Sequence, residues 1–334
     1  MKRNCCLMSS LSKLAVACTV LMAVAPLSDV RASESPLEML RKSIAARTSI
    51  SFTGVRAVVV FEDGNRVRGV TQRVYSQAPD RMRIEFLSPD NERGKLSVIN
   101  GNVRWDYDPA TGRAVRAETQ SPTETVSRRL QELSRIAERT SVQYAGHDTV
   151  AGRPTHVIKV FTVEGITLRK SWLDTRTFLN LKTQRFDAQE RVRSSAYFTE
   201  ISYSPTFASG LFDFRPPRGC TIVETSGPSE PVSLAEAERQ AGFSAVIPGY
   251  LPPGFSLRRD SICVIEVEGH RTLWLPFSDG VETFSLFQRR AGGSSSDIRR
   301  RGPSVSWTAG DFVFTLMGPL PRAEMSKIKA SVRP

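Results

Sequence analysis

The sequence predicts an α+β fold: an open, curved antiparallel β-sheet with covering helices, followed by a small α+β domain. Three observations predict it. Long stretches of the 334-residue chain alternate apolar and polar residues, the mark of strands with one buried face. A few segments switch to helical spacing, and three of them open on the same serine-led start signal. Near residues 224–232, "ETSGPSEPV" has the composition of a linker and divides a long strand-rich stretch from a shorter one.

The first segment reads as an export signal. Lys2, Arg3 and Lys13 precede an apolar run from Leu14 to Leu27, broken only by Thr19 and Pro26, and Val30-Arg31-Ala32 is a small-residue cleavage site. The run is short for a retained anchor. Ala15-Val16-Ala17-Cys18 is similar to a lipoprotein box, but the apolar run continues past Cys18. Residues 1–32 are therefore expected to be a cleaved signal peptide and the protein to be periplasmic.

Helices are expected after Ser35-Pro36-Leu37-Glu38, Ser121-Pro122-Thr123-Glu124 and Ser233-Leu234-Ala235-Glu236. In each, the serine oxygen can accept the third helical amide while the glutamate reaches back. Proline at the first helical position of two of them lacks only an N–H that has no helical partner anyway. Leu37, Leu40 and Ile44 then line one face, as do Val126, Leu130, Leu133 and Ala137. The third helix is expected to stop near Gly242, and a fourth to start near Pro321 with Met325, Ile328 and Val332 on one face.

Between the helices the period is two. In "DRMRIEFLSPD", Met82, Ile84 and Phe86 face one way and Arg81, Arg83 and Glu85 the other. Asn100-Gly101 in "VINGNVRWDYD" is a hairpin signal. Further strands are expected near 52–61, 66–76, 141–149, 154–163, 166–174, 178–187 and 191–203. In "LFDFRPPRGC" the alternation reads as a strand stopped by two prolines. About ten strands of this kind make a strongly curved sheet or open barrel, whose apolar face two helices must cover. The expected organisation is a first domain over 33–220, a linker over 221–232 and a second domain over 233–334, with strands near 255–267, 270–277, 281–288, 304–308 and 311–317.

The formal charge is +12, and +9 without the first 32 residues. This favours anionic partners such as membrane surfaces or acidic protein segments, while export argues against nucleic acid. Of five cysteines, Cys5, Cys6 and Cys18 leave with the signal. The remaining pair, Cys220 and Cys263, is expected to form a disulfide in an oxidising compartment. It would close a 43-residue loop, worth about 4 kcal/mol if unstrained; two thiols are the alternative.

No residue pattern points to catalysis or to a cofactor. The three histidines, His147, His156 and His270, lack metal-ligand spacing, and no nucleophile elbow, zinc-protease helix or phosphate loop occurs. His156, alternating with its strand neighbours, is expected at the surface or rim. Two binding features stand out. A curved sheet under two helices can leave an apolar cavity lined by Phe86, Trp105, Trp172 and Tyr197, although the same residue types fill an ordinary core. The loop "RRAGGSSSDIRRRG" carries Arg289, Arg290, Arg299, Arg300 and Arg301 around a Gly/Ser hinge. Five guanidiniums there can clamp an anion or simply be solvated.

"WDYDPATG", "SWLDTRTFLNLKTQRFDAQERV" and "LFDFRPPRG" resemble the periplasmic lipoprotein-carrier fold of the LolA and LolB type, a LolA-like half-barrel. "AEAERQAGF", "LPPGFSLRR", "FSDGVETFSLFQRR" and "FVFTLMGPLPRAEMSKIKASV" resemble the C-terminal domain of the MucB/RseB family of periplasmic sigma-E regulators. The resemblance spans essentially residues 35–334. It implies a non-enzymatic protein that binds the periplasmic part of a single-pass membrane anti-sigma factor, shields it from a protease and restrains envelope-stress signalling. It also implies that the carrier-like domain senses lipid or lipoprotein acyl chains. The Cys220–Cys263 pair is not part of the family's pattern. A periplasmic lipid or lipoprotein carrier is the second reading, and an envelope scaffold a third.

Overall fold

The structure is a computed structural model. It describes residues 34–334 apart from 63–64, 120–121, 138–139, 188, 226–230, 253–254, 268, 279–282, 293–303 and 319. The expected signal peptide, residues 1–32, and Arg299, Arg300 and Arg301 lie outside the described residues.

Helix α1 (Pro36–Ser49) precedes β1 (Phe52–Glu62), β2 (Asn65–Gln77), β3 (Arg81–Ser88), β4 (Leu96–Asn100), β5 (Val103–Asp108) and β6 (Arg113–Glu118). Helix α2 (Pro122–Ala137) leads to β7 (Thr140–Val150), β8 (Arg153–Thr162), β9 (Thr167–Asp174), β10 (Asn180–Phe186) and β11 (Val192–Tyr203). Then come β12 (Thr221–Thr225), α3 (Leu234–Ala241), β13 (Ser256–Leu257), a 3-10 turn at Arg259–Ser261, β14 (Cys263–Val267), β15 (His270–Ser278), β16 (Thr283–Arg290), β17 (Ser304–Ala309), β18 (Phe312–Met317) and α4 (Arg322–Ser331).

Local chemistry sets the helix ends. The Ser35 hydroxyl accepts the Glu38 amide at 3.2 Å, and the Ser233 hydroxyl accepts the Glu236 amide at 3.2 Å. Gly242 ends α3 in the left-handed region at φ 78°, which a residue with a Cβ adopts only at a cost. In α4, Met325, Ile328 and the capping Val332 are buried as expected.

The strands form one continuous antiparallel ladder through the first half of the chain: β6-β5-β4-β3-β2-β1-β11-β10-β9-β8-β7. Among the described residues β6 and β7 do not pair, so the curved sheet stays open. Helices α1 and α2 cover it: Met39, Leu40 and Leu133 pack on Ile158, Val160 and Leu173. A second apolar layer runs from Phe52, Val74, Ile84 and Phe86 to Phe198. The later strands form their own ladder, β14-β15-β16-β18-β17, with β13 on β15. One face of it carries a core of Leu273, Leu275, Phe277, Phe284, Leu286, Phe314 and Leu316 under α3 and α4.

Three expectations need correction. The "LFDFR" stretch is not a strand. Residues 205–220 run through turns, with the Asp213 amide donating to Gly210 O at 2.9 Å. Its alternation has another cause. Phe212 is buried against Phe207, while Phe214 packs on Trp105 and Tyr107, and Arg83 donates to Leu211 O at 3.2 Å. The linker expected from 221 starts instead as β12, which adds to β6 in parallel from Thr221↔Arg113 to Thr225↔Ala117 and meets β14 at Thr225↔Val267. A single strand thus joins the two ladders.

The disulfide is the third correction: Cys220 and Cys263 are thiols, not bonded to each other. The register explains it. With Thr225 opposite Val267 in antiparallel strands, Cys220 and Cys263 lie on opposite sides of that pairing, about 30 Å apart along the ladder at the usual strand rise. A disulfide requires Cα atoms within about 7 Å. Cys263 is instead packed among Ile265, Phe287, Met317 and Trp274.

The hairpin expected at Asn100-Gly101 is present one residue later, with Asn100 closing on Val103 around Gly101 and Asn102. Gly101 takes φ 61° there. The strand expected at 255–267 is broken by the 3-10 turn into β13 and β14.

Candidate functional site

The helix-covered face of the first ladder is where unusual chemistry collects. Strand register shows which side chains share it. Ile158, Val160 and Leu173 carry the helices, and Val160 stands opposite Arg169. Arg169 stands opposite Arg185, and Arg185 opposite Ser194. Two-residue alternation along β11 carries the same face to Ala196 and Phe198, and Phe198 is opposite Arg56. Arg56 in turn faces Gln72, whose Oε1 accepts the Arg56 Nε proton at 2.8 Å. Arg56, Arg169 and Arg185 are thus on one surface with Ser171 and Phe86, although an inward strand position normally excludes charge.

The helices add two more guanidiniums. Arg47 lies in the last turn of α1 and Arg129 in α2. Burial by surrounding protein, with the charges of Arg129 and Arg56, pushes Arg47 down to about 10. Burial, with Arg185 and Arg129, does the same to Arg169, again to about 10. Burial alone pushes Arg56 down. Arg129 is the link, felt by both Arg47 and Arg169. Arg47 and Arg129 reach solvent while Arg56, Arg169 and Arg185 are half-buried, so the five run from surface to interior. The Arg169 Nε and Ser171 Oγ are buried without a hydrogen-bond partner.

The residues expected to line an apolar cavity do not converge on one. Phe86 and Trp172 are both buried in the same apolar layer. Trp172 donates its Nε1 proton to Asp148 at 2.7 Å and is flanked by the ammonium groups of Lys170 and Lys182 at 4.7 and 4.3 Å. Trp105 is elsewhere, against Phe214. Tyr197 lines an open groove of about 360 Å³ with Val59, Phe61, Arg66 and Lys182. A similar groove of about 390 Å³ lies between Ser141, Gln143, Phe161 and Val163.

The first residues of the expected basic loop are strand residues. Arg289 and Arg290 end β16, opposite Val313 and Phe312. Arg289 is buried and Arg290 lies over the Phe312 ring at 5.8 Å. His156, half-buried, pairs across strands with His147, their rings 5.2 Å apart. The Tyr144 hydroxyl is 2.9 Å from His147 Nε2 and 3.4 Å from His156 Nδ1. Among the described residues no group of three or more His, Cys, Asp or Glu is close enough to hold a metal.

The shared face of these arginines is not legible in the sequence, because no two of them are close along the chain. A signal was present nonetheless. Arg169 shares strand phase with Ser171 and Leu173, a charge at an inward position of its strand, and Arg185 stands directly opposite it.

Fold and face together define the class: an open curved sheet with one face roofed by two helices. The chain belongs to the MucB/RseB family, since the family's MucB/RseB N-terminal domain matches residues 39–215, more than half of it. The sigma factor AlgU regulatory protein MucB of Pseudomonas aeruginosa is 25% identical over 213 residues, which are 60% of this chain and 63% of that protein. The match therefore spans less than two thirds of that relative's length. The fold likeness extends further. The Pseudomonas aeruginosa MucA/MucB complex has a chain 19% identical, with a TM-score of 0.53, covering 90% of this chain and 98% of that one. A crystal structure of MucB in complex with MucA(peri) gives 18% identity and a TM-score of 0.52, covering 90% and 99%.

Proposed function

We propose that this protein is a periplasmic regulator that binds the periplasmic part of a single-pass anti-sigma factor and so restrains envelope-stress signalling. Membership of the MucB/RseB family carries the reading. Two further facts support it. The fold likeness to MucB runs through both halves of the chain, and a minimal lipid carrier has no need of residues 233–334. The basic balance of the sequence suits an acidic partner segment. The role is one of binding, without catalysis.

The finer parts of the proposal are a division of labour and a signal. Residues 33–220 would sense lipid or lipoprotein acyl chains on the helix-covered face, and residues 233–334 would contribute to holding the partner. Among the described residues no helix is long and apolar enough to cross a membrane.

The test is genetic. Deleting the gene should raise transcription from promoters of the envelope-stress sigma factor, and the full chain supplied in trans should lower it again. Unchanged transcription, with lipoprotein sorting impaired instead, would favour the carrier reading.

A further inference from the structure

Tyr144 and His147 are three apart in β7, so simple alternation would turn them to opposite faces of the sheet. A bulge turns them to the same one. The register of β7 on β8 runs through Tyr144↔Ile158 and then slips to His147↔His156. Gly146, inside the slip, takes φ 93°, a value glycine adopts at little cost. Bulges of this kind re-aim side chains, and here three of them converge. The Tyr144 hydroxyl is 2.9 Å from His147 Nε2, 3.0 Å from Nδ1 of the same ring and 3.4 Å from His156 Nδ1. The two imidazole centres are 5.2 Å apart, and the Phe178 ring lies nearly parallel to His156 at 6.1 Å. Tyr144 is 42% exposed and His147 is exposed, so the cluster is open to solvent on the last strand pair of the ladder.

We infer that Tyr144, His147 and His156 form a binding site for a divalent late first-row transition-metal ion, copper(II) above all. Neutral imidazole suits copper, zinc and nickel; mixed nitrogen and oxygen donors favour copper(II), which also stands highest in the divalent affinity series. The spacing fits. An imidazole bound at about 2.0 Å holds its ring centre about 3.2 Å from the ion, so two rings on one ion lie about 4.5 Å apart at a right angle and about 6.3 Å apart when opposed. The observed 5.2 Å falls between these limits. Among the described residues no carboxylate or thiol joins the two histidines as a third donor; the phenol takes that place. On binding, the phenol O–H breaks, its proton passes to water, and the oxygen bonds to the ion, which stays copper(II) throughout. The site stands apart from the partner-binding reading above, and its failure would leave that reading untouched.

The experiment is a titration of the full chain, without a histidine tag and stripped with chelator, with copper(II) chloride. Calorimetry, visible absorption, electron paramagnetic resonance and thermal melting are the readouts. Wild type should bind one ion per chain, show nitrogen couplings from two imidazoles and melt at a higher midpoint when loaded. It should also show a visible phenolate-to-copper band. Burial raises the Tyr144 phenol above its usual value, so such a band at neutral pH reports phenolate held by the metal. His147→Gln and His156→Gln should each weaken binding at least about tenfold, the low end of the cost of losing even an outer-shell partner. Tyr144→Phe should keep the two nitrogen couplings and lose the visible band.

His270→Gln, in the second ladder, is the control and should change nothing. If the half-buried His156 variant fails to fold, the exposed His147 variant carries the test. No binding at equimolar copper, a wild-type complex without the visible band, undiminished binding by His147→Gln, or equal weakening by His270→Gln would overturn the inference.

Discussion

Arg153 and Asp174 form an ion pair in which the carboxylate is 0% exposed and the guanidinium lies 4.5 Å over the ring of Tyr203. The pair ties the start of β8 to the end of β9. The Tyr203 hydroxyl donates to Asp174 Oδ2 at 3.1 Å and brings in the end of β11. The Arg176 and Thr177 amides donate to Oδ1 at 2.9 and 3.0 Å. Burial alone would raise the Asp174 carboxyl, but the Arg153 and amide hydrogen bonds outweigh it and hold the group below its usual value.

Asp174→Asn should therefore destabilise the fold by about 3–5 kcal/mol, the range for breaking a buried pair. The sign of the pH effect follows from the depressed value. Asp174 contributes stability above the unfolded carboxylate range, about pH 4, and loses it as pH falls through its folded value. Wild-type melting midpoints should drop more steeply below pH 4 than those of Asp174→Asn. Parallel curves would rule out this account.

Tyr203 offers an independent check. Burial first, and Asp174 in addition, raise its phenol to about 12. The contribution of the protonated phenol is present below the unfolded value near 10 and is lost as pH rises toward 12. Tyr144 and Tyr250 are also raised, but Tyr203 is raised to about 12, so ultraviolet titration should show a last-ionising tyrosine in the wild type that titrates earlier in Asp174→Asn. A tyrosine spectrum that is the same in both proteins would contradict the assignment.

Gln288, 0% exposed, clasps the loop after α3 at both ends of one residue. Its Nε2 donates to Val246 O at 2.6 Å and its Oε1 accepts the Val246 amide at 2.8 Å. Gln288→Ala should cost about 2–4 kcal/mol, since it leaves two backbone groups unmatched as well as a cavity. Urea unfolding measures this; a loss below about 0.5 kcal/mol would mean that the loop is held by other contacts.

The thiol state is checked by alkylation without reductant followed by peptide mapping. Cys220, half-buried, should label in the native protein, and buried Cys263 only after unfolding. Recovery of a Cys220–Cys263 linked peptide would overturn the register assigned to β12 and β14.

What the sequence revealed was mostly local. Ser35 and Ser233 announce helices through a bond to a residue three positions on, and Ile84 and Phe86 show their strand by alternation. Where a long-range partner decides, the pattern misled. Leu211, Phe212 and Phe214 alternate like a strand but serve separate contacts. The β12 strand reads as linker in the sequence because its partner β6 lies more than a hundred residues earlier. Cysteine count alone pairs Cys220 with Cys263, because a count carries no register. The arginine face is the extreme case. Arg56, Arg169 and Arg185 share a face only because β1, β11, β10 and β9 are neighbours in the sheet.

The most direct test of the regulatory reading is a binding titration. Full chain should be titrated with the purified periplasmic segment of a single-pass anti-sigma factor encoded by the same organism, at low and at physiological salt. The account predicts a saturable complex that weakens as salt rises, in line with the basic balance of the chain. No complex at low salt, with protein whose melting transition shows it to be folded, would contradict it.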